Sequence, residues 1–174
     1  MQARDVIEVV RLLESNDVDV WLDGGWGVDA LVGEQTRPHL DLDVVVRLEH
    51  VERLRVILAE TGFEFLHDWP DAPECFVLGD DRGRKLDVHP VTFNEKGEGI
   101  QRLTKGDWAY PAQGFTGMGV VDGRDVRCLT VEVQVLCHAG YELEDDDLHD
   151  LGALRDRLGA RLLPHQRERV DGAE

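Results

Sequence analysis

The sequence predicts one α/β domain (α+β) with a small helical part at its C-terminal end. Helix and strand patterns alternate along the N-terminal half, which is typical of a sheet covered by helices. Two helical patterns with no strand between them close the chain. A length of 174 residues is sufficient for one domain with a hydrophobic core. We expect the main unit at 1–129, helices packed on it at 130–163, and a flexible tail at 164–174.

The N-terminal half supplies its elements in a regular order, each indicated by hydrophobic spacing and by a turn residue at its end. The patterns predict a helix over 4–14, a strand over 18–22, a short helix over 26–32, a strand over 42–47, a helix over about 50–61, a strand over 63–66, and a hairpin of 74–78 and 85–89. Gly33 and Gly62 are the expected stops of the second and third helices.

Beyond residue 90 the hydrophobic pattern is irregular, and glycines interrupt it repeatedly. A last strand is expected over 124–129. Two helices follow, over about 131–139 with Thr130 as N-cap and over about 148–160 with a leucine stripe. The polar segment from Pro164 is expected to fray.

The charge balance restricts the partners. The chain carries 36 acidic side chains against 19 lysines and arginines, a net charge of −17. Nucleic-acid binding requires clustered cations that neutralise phosphates, and the field of this protein opposes it. We therefore expect no nucleic-acid partner, whereas a small cationic substrate would be attracted.

Three observations predict a cytoplasmic protein with no membrane partner. No stretch approaches the length needed to cross a bilayer. The segment 1–5 lacks the charged and then apolar layout of a signal peptide. Cys75, Cys128 and Cys137 are odd in number and share no metal-ligand spacing, so we expect reduced, buried thiols.

Asp41 and Asp43 stand at the head of the apolar run Val44–Val46. Residues at i and i+2 of a strand point to the same face, so both carboxylates project together and repel each other. Such a pair is difficult to explain as core packing. It suits Mg²⁺, a hard cation that prefers oxygen ligands.

Asp87 is the best third acid. In its segment Leu86 and Val88 would face the core, while Asp87 and His89 face the other side. Three carboxylates can hold two Mg²⁺ ions, which stabilise the attacking and leaving oxygens of a displacement at phosphorus. Asp87 could also accept the proton of an attacking hydroxyl. The alternative is that an acidic chain contains such a pair by chance.

Gly24 and Gly25 end the strand before the acid pair. Glycines at a strand-to-helix turn permit a positive φ and let backbone N–H groups approach phosphate oxygens. Together with a metal, such a turn indicates a nucleoside triphosphate. The alternative is an ordinary tight turn, in which Asp23 merely caps the following helix.

Three segments make the chain recognisable: LDGGWGVDAL at 22–31, TRPHLDLD at 36–43 and LDVHP at 86–90. Together they resemble the antibiotic nucleotidyltransferases of the DNA polymerase β-like superfamily. The similarity is greatest to lincosamide nucleotidyltransferases, which the segments at 128–134, 138–141 and 147–154 also resemble, and next to aminoglycoside nucleotidyltransferases. The resemblance implies a nucleotidyltransferase fold, a mixed sheet flanked by helices, with 1–129 as the catalytic unit.

The resemblance also implies an activity and its residues. The expected reaction is Mg²⁺-dependent transfer of a nucleoside monophosphate, usually from ATP, to a hydroxyl of a small antibiotic, with release of pyrophosphate. Asp41 and Asp43 match the metal-binding pair, and Asp87 matches the third acid. Gly24 and Gly25 match the phosphate-binding turn.

The remaining site residues follow from the same comparison. Arg37 and His39 stand where the family has a basic residue and a histidine, so Arg37 is a candidate phosphate contact; the alternative is a surface charge. His89, Tyr141 and Glu142 are the candidate substrate contacts. Trp69, Trp108 and Tyr110 could wall a sugar pocket, but packing is the expectation for most of them. Lincosamides are the first expected acceptor and aminoglycosides the second.

Two other classes of function remain open. A phosphohydrolase of the haloacid dehalogenase type needs an apolar strand that runs into its first aspartate, and Pro38 stands in that place here. A nucleotide-binding or toxin–antitoxin protein could use the same fold without the transfer activity. A homodimer is a further possibility, because some relatives share an active site across two subunits.

Overall fold

A computed structural model describes residues 1–172. In chain order its elements are α1 (Ala3–Glu14), β1 (Val20–Asp23), α2 (Gly24–Val32), β2 (Leu42–Arg47), α3 (Val51–Glu60), β3 (Glu64–Trp69), β4 (Ala72–Gly79), β5 (Lys85–Phe93), β6 (Gly99–Gln101), β7 (Trp108–Tyr110), β8 (Gly117–Val121), β9 (Arg124–Cys128), α4 (Val131–Cys137), α5 (Asp145–Leu158) and α6 (Pro164–Gly172). Short 3₁₀ segments precede α3 at Leu48–His50 and β8 at Ala112–Thr116.

One mixed sheet with the strand order β3-β4-β5-β2-β1-β9-β8 organises the chain. The strand pairs β2–β5 and β1–β9 are parallel, and the other neighbours in this order are antiparallel. The short strands β6 and β7 extend from the far end of β5. This arrangement, with helices on the sheet, confirms the predicted α/β fold class.

The strand register brings three aspartates side by side. Asp23 of β1 pairs with Asp43 of β2, and Asp43 pairs with Asp87 of β5. Residues that lie in register on neighbouring strands project from the same face of a sheet. Asp41 stands just before the first residue of β2. One end of the central strands therefore carries the acids.

Both faces of the sheet are covered. On one face Leu22, Val44 and Val88 pack with the apolar stripes of α1 and α3 in the largest hydrophobic cluster. On the other face Val45 and Leu129 belong to a separate cluster with aromatic side chains. The centres of β1 and β2 are therefore buried on both sides, and their acidic side chains stand at the strand ends.

Helix α2 begins earlier than predicted, at Gly24 rather than at residue 26. A side-chain oxygen of Asp23 accepts a hydrogen bond from the Gly24 N–H at 2.8 Å and caps the helix. Gly24 has a φ of +55°, a value that L side chains rarely adopt. The glycine pair therefore forms the first turn of the helix rather than a separate turn.

The region beyond residue 90 contains more regular structure than predicted. Strands β6, β7 and β8 lie there. They are only three to five residues long, and β6 and β8 contain glycines, so their hydrophobic spacing gives no signal. Helix α5 begins at Asp145, before the predicted start at residue 148. Glu144 and Asp147 form a reciprocal capping box, which extends the helix into the acidic run.

The prediction of a flexible tail is wrong for residues 164–172, which form α6. The buried Gln166 donates hydrogen bonds from Nε2 to the carbonyl oxygens of Val135 and His138, both at 2.8 Å. Val170 joins a cluster with Leu151 of α5. These contacts dock the helix even though its composition is polar. The last two positions lie outside the described residues.

The three cysteines are free thiols, as predicted, but only Cys75 and Cys128 are fully buried. Cys137 is half-buried at the end of α4. Burial raises the pKa of the Cys128 thiol to about 12. Burial also raises the pKa of the Cys137 thiol well above its ordinary value, and the charge of Asp23 adds to this effect. Both thiols therefore stay protonated at neutral pH.

Within residues 1–172, no helix has both the length and the apolar surface required of a membrane span. The division of the chain at 129/130 stays a prediction, although α4 and α5 pack directly on α2.

Candidate active site

Asp43, Asp87 and His89 form a compact group. One potential ligand atom from each lies within 4.8 Å of the others. His89 Nε2 is 3.6 Å from Asp43 Oδ1 and 3.7 Å from Asp87 Oδ1. The register of β2 with β5 places the two acids together, and His89 follows Asp87 on the same face of β5. The structure thus joins two of the three predicted acids with His89, for which the sequence suggests contact with the substrate or with a metal.

Asp41 lies outside that compact group but lines the same cleft as Asp43 and Asp87. Burial raises the pKa of Asp41, and the negative charges of Asp43 and Asp87 raise it further. The pKa of Asp87 is also raised, by burial first and then by Asp43, while His89 and Trp69 oppose the shift. Three carboxylates therefore face one another with their mutual repulsion only partly compensated.

The cleft at this end of the sheet has a volume of about 490 Å³. It is lined by Gly25, Trp26, Arg37, His39, Leu40, Asp41, Asp43, Trp69, Asp87, Tyr141, Glu142, Glu144, Asp146 and Asp147. A second cleft of about 290 Å³ adjoins it and shares Arg37, Asp43 and Tyr141. Two larger hollows, of about 790 and 950 Å³, contain none of the three acids, so size alone does not mark the site.

Gly24 and Gly25 leave room for charged neighbours. A Cβ atom on Gly24 would lie 2.4 Å from Asp43 Oδ2. A Cβ atom on Gly25 would lie 2.4 Å from His39 Nδ1 and 2.7 Å from Arg37 Nη2. Both distances are far below van der Waals contact. The glycine pair therefore lets an acid and two basic side chains approach the start of α2.

Two acidic side chains of helix α5 hold Arg37 by hydrogen bonds. Its Nε and Nη2 atoms donate to the two oxygens of Asp150 at 2.8 and 2.7 Å, and Nη1 donates to Asp146 at 2.9 Å. The Arg37 side chain is 16 % exposed and that of Asp150 is 1 % exposed. The alternative of a solvated surface charge is therefore wrong. The forked contact fixes the guanidinium beside Gly25.

His39 is a buried partner of Asp29. Its Nε2 lies 2.5 Å from Asp29 Oδ2, and its ring packs 4.7 Å from that of Trp26. The other oxygen of Asp29 accepts hydrogen bonds from the backbone N–H and hydroxyl of Thr36. Burial acts to raise the pKa of Asp29, but the bonds from His39 and Thr36 outweigh it and lower the pKa. These contacts fasten the loop before β2 to helix α2.

Trp69 is a site residue whose contact with Asp87 the sequence did not predict. Its indole Nε1 lies 3.1 Å from both oxygens of Asp87, although the side chain belongs to edge strand β3. Trp69 lines the cleft and is 43 % exposed, so it is a wall of a pocket rather than a packed core residue. No periodicity signals this contact, which depends on how two distant strands meet.

Gln101 contacts the His89 ring at Nδ1, and Tyr110 holds Gln101 in place. Gln101 Nε2 lies 3.4 Å from His89 Nδ1 and donates to Cys75 Sγ at 2.8 Å, while the Tyr110 hydroxyl donates to Gln101 Oε1 at 2.9 Å. Burial disfavours a charged His89, but Asp43, Cys75 and Asp87 outweigh it and raise its pKa well above the ordinary value. Short strands β6 and β7 carry this support, so sequence reasoning missed it.

Tyr141 and Glu142 line the cleft from the loop between α4 and α5. The Tyr141 hydroxyl donates to Asp147 Oδ1 at 3.0 Å, and the side chain is half-exposed. Burial and the charge of Asp147 raise the Tyr141 pKa, so the phenol stays neutral at physiological pH. With Glu144, Asp146 and Asp147, this loop gives the cleft an acidic rim.

Comparison with known proteins identifies relatives of this site. A family described as aminoglycoside-2''-adenylyltransferase matches residues 5–154. A lincosamide resistance protein of Staphylococcus haemolyticus is 31% identical over 153 residues, which cover 87% of this chain and 93% of that protein. A 2''-aminoglycoside nucleotidyltransferase of Escherichia coli is 26% identical over 121 residues, which cover 70% of this chain and 63% of that protein.

Two solved structures resemble this chain. The lincomycin-bound lincosamide antibiotic adenylyltransferase LnuA superposes with a TM-score of 0.77 at 30% identity, over 88% of this chain and 96% of that one. ANT(2")-Ia in complex with adenylyl-2"-tobramycin gives a TM-score of 0.71 at 19% identity, over 98% and 97%, and shows the shared fold. The chain therefore belongs to the aminoglycoside-2''-adenylyltransferase family and is a nucleotidyltransferase.

Proposed function

We propose that this enzyme transfers a nucleoside monophosphate from a nucleoside triphosphate, ATP in the first place, to a hydroxyl of a small antibiotic-like acceptor, and releases pyrophosphate. The observation that carries the proposal is the in-register pair of Asp43 and Asp87, with Asp41 facing the same cleft beside the glycine start of α2. The names of the relatives support the same chemistry.

The acids fit a divalent cation. Their oxygens suit Mg²⁺. Burial, and after it the neighbouring carboxylates, raise the pKa values of Asp41 and Asp87, and a cation would neutralise this concentration of negative charge. We propose Asp41, Asp43 and Asp87 as the ligands of one or two Mg²⁺ ions. His89 Nε2 faces two of these acids, which also makes Mn²⁺ a reasonable cation to test. When bound, Mg²⁺ would stabilise charge on the attacking and leaving oxygens.

The side chains of the enzyme would position the reactants and accept a proton. The acceptor oxygen attacks the α-phosphorus, a new P–O bond forms, and the bond from the α-phosphorus to the oxygen shared with the β-phosphorus breaks. Pyrophosphate leaves with the electron pair of that bond. We assign the proton of the hydroxyl to Asp87, whose carboxylate lines the cleft beside Asp41 and Asp43.

The nucleotide is proposed to bind at the start of α2. Gly24 and Gly25 form the N-terminus of α2, where anions are favoured. Because the Gly24 N–H donates to Asp23 Oδ1, we assign the phosphate contact at this turn to the Gly25 N–H. Arg37 adds a fixed positive charge beside Gly25. His39, which Asp29 engages, would hold the loop that carries Arg37 rather than contact phosphate strongly.

The acceptor is proposed to occupy the cleft between the acids and the rim at Tyr141 and Glu142. A lincosamide is the first choice, because the relative named for lincosamide resistance aligns over 93% of its length. An aminoglycoside is the second, because the acidic rim suits a polycation. The proposed location of an enzyme that uses ATP is the cytoplasm.

The decisive experiment measures pyrophosphate release with a panel of nucleoside triphosphates, with Mg²⁺ or Mn²⁺, and with lincosamides, aminoglycosides or no acceptor. We expect release that requires one acceptor class and falls at least about 100-fold in Asp87→Asn and Asp43→Asn. Asp107→Asn removes one charge at an exposed loop position and serves as the matched control.

Release with none of these acceptors, from a folded protein that binds nucleotide, would contradict the antibiotic proposal and favour a binding role. Light scattering of the same samples tests the homodimer. Glu142→Gln tests the rim: we expect a higher acceptor KM with little change in kcat, because an exposed rim charge contributes to encounter and binding.

A further inference from the structure

Trp69 makes an unusual contact for a half-exposed aromatic side chain. Its indole N–H points at the carboxylate of Asp87, with 3.1 Å to each oxygen, across two strands of the sheet. Asp87 itself is nearly buried. An N–H shared between two oxygens is a donor aimed at the whole carboxylate. The contact therefore restrains the direction in which the Asp87 carboxylate points.

The hairpin of β3 and β4 is shaped so that Trp69 can reach the acid. The β3–β4 register is irregular between Phe65 and His67 and again between Asp68 and Trp69. Irregularities of this kind bend a strand and turn a side chain toward a site. The His67 ring packs edge-on against the indole at 5.3 Å, which limits its rotation.

The tip of the same hairpin is also anchored. Asp71, two residues after Trp69, accepts hydrogen bonds from Thr104: the hydroxyl donates to its carboxylate at 3.1 Å and the backbone N–H to its carbonyl at 2.9 Å. Strand β3 has exposed side chains along its whole length, so apolar packing does not account for its placement. The bulges and the anchored tip give the indole a defined position.

The geometry points to Trp69 as a positioning residue that holds the Asp87 carboxylate toward Asp43, an inference that rests on the proposed function. A carboxylate offers about four acceptor sites on its two oxygens. The shared indole N–H leaves at least one lone pair on each oxygen for a cation or for the acceptor proton. Without the N–H, the Asp87 carboxylate can rotate away from the cleft.

A packing role alone makes a different prediction. Trp69 is absent from the three hydrophobic clusters among the described residues, and its ring is 43 % exposed. A packing role would be preserved in Trp69→Phe, which retains an aromatic ring and removes only the N–H and the second ring. A packing role therefore predicts no change in Trp69→Phe, whereas a role for the indole N–H predicts a loss.

The first test follows the indole N–H signals of the four tryptophans by ¹H–¹⁵N NMR spectroscopy. Trp69→Phe assigns the Trp69 signal, and Trp108→Phe is the matched control, since Trp108 lies on β7. We expect the Trp69 signal to move in Asp87→Asn and on titration with MgCl₂, while the Trp108 signal stays in place. A Trp69 signal that responds to neither change would overturn the inference.

The second test is kinetic. We expect Trp69→Phe to bind Mg²⁺ or Mn²⁺ roughly 10-fold more weakly and to lose about 10- to 100-fold in kcat, at unchanged melting temperature and acceptor KM. An unchanged kcat, or a higher acceptor KM alone, would show that the ring only lines the cleft. If the wild type transfers to no acceptor, the proposed function fails, but the NMR and cation-affinity results still decide the role of Trp69.

Discussion

Asp150 illustrates at the scale of one residue how the cleft depends on groups outside it. Its buried carboxylate receives two N–H groups of Arg37, while the exposed Asp146 receives a third. Both acids contact one guanidinium, but only the Asp150 carboxylate is buried and therefore without hydration. A buried group that loses its partner costs more than an exposed one.

We predict that Asp150→Asn destabilises the protein by about 1–3 kcal/mol and raises the KM for the nucleoside triphosphate. The amide retains one acceptor oxygen but presents an N–H group to the guanidinium, so Arg37 loses its fixed position. Urea unfolding and the dependence of rate on nucleotide concentration measure the two effects. Asp146→Asn, at a position whose side chain is 71 % exposed, should change stability by less than about 1 kcal/mol. Equal effects of the two variants would contradict this account.

Gln101 gives a second residue-scale prediction. Its amide joins Tyr110, Cys75 and His89 in one buried chain of polar contacts. Gln101→Met keeps the length and leaves the Tyr110 hydroxyl without its acceptor, which costs about 1–3 kcal/mol. Because His89 loses its support, we also expect about 10-fold weaker binding of Mn²⁺.

Calorimetry of unfolding and of Mn²⁺ binding checks both effects in Gln101→Met. The exposed Gln113→Met is the control, since the same substitution there removes no buried contact. A stable variant with unaltered Mn²⁺ affinity would mean that His89 orients itself without Gln101.

The same residues show how far the sequence leads. The strand period predicted that Asp41 and Asp43 share a face and that Asp87 lies on the outer face of its strand. The register places Asp43 beside Asp87, whereas Asp41 stands just before β2, where the strand period no longer applies. Trp69 and Gln101 belong to short or exposed strands, where no pattern marks a side chain as special. Their contacts depend on strand bulges and on a three-residue strand, features that only tertiary structure determines.

At the scale of elements, helix α1 is fastened to the β4–β5 hairpin by charge. Asp80 accepts the backbone N–H groups of Arg82 and Arg84 and the Nε of Arg84 at 2.6 Å. Arg84 in turn donates to Glu8 of α1 at 2.9 Å. The network connects two elements that are distant in the chain. It therefore acts on the stability of the fold rather than on the cleft.

Asp80→Asn should lower stability by about 1–3 kcal/mol at pH 7. Burial acts to raise the pKa of Asp80, but the hydrogen bonds from Arg84 outweigh it, so the folded-state pKa lies below the ordinary value. A depressed pKa means that this stabilisation is present above the unfolded pKa of about 3.9 and is lost as the pH falls through the folded value. The difference between wild type and variant should thus shrink below about pH 4.

Urea unfolding of Asp80→Asn between pH 2 and 8 measures that difference, with the exposed Asp81→Asn as control. A difference that is constant with pH would show that the carboxylate charge is not the source of the stabilisation.

The sequence predicted the elements that have a clear hydrophobic pattern. It did not predict the elements whose structure depends on docking against the rest of the chain. Strand β2 has the predicted bounds, 42–47, because its valines form one apolar run. Helix α6 has a polar sequence and was predicted as a flexible tail. Its buried Gln166 caps carbonyl groups of the segment at 135–138, and such a contact leaves no trace in hydrophobic spacing.

At the scale of the whole molecule, the sheet and the C-terminal helices contribute different parts of the cleft. The central strands carry Asp43 and Asp87, whereas α5 fixes Arg37 and the preceding loop supplies Tyr141. The acids and Arg37 therefore come from the N-terminal part of the chain, while the groups that fix Arg37 and line the rim come from the C-terminal part. The predicted division at 129/130 would run through the site rather than beside it.

The charge of the molecule leads to a prediction about the metal-free enzyme. The net charge is −17, and seven acidic side chains line one cleft. Burial and the charges of Asp43 and Asp87 raise the pKa of Asp41, so its ionised form is unfavourable in the folded state. Asp41→Asn should therefore raise the melting temperature in a chelating buffer by roughly 2–4 °C, which is about 1 kcal/mol for a chain of this length.

Saturating Mg²⁺ should reverse this order, because a cation that binds only the folded state stabilises it by about 2.7 kcal/mol at one hundred times its Kd. The wild type gains this stabilisation from the bound cation. Asp41→Asn lacks one of the proposed ligands and therefore gains less stabilisation. Thermal unfolding with and without MgCl₂ at constant ionic strength compares them, with Asp107→Asn as a control that removes an equal charge elsewhere. If Mg²⁺ raises all three melting temperatures equally, the cation only screens the net charge, and the acids are not its site.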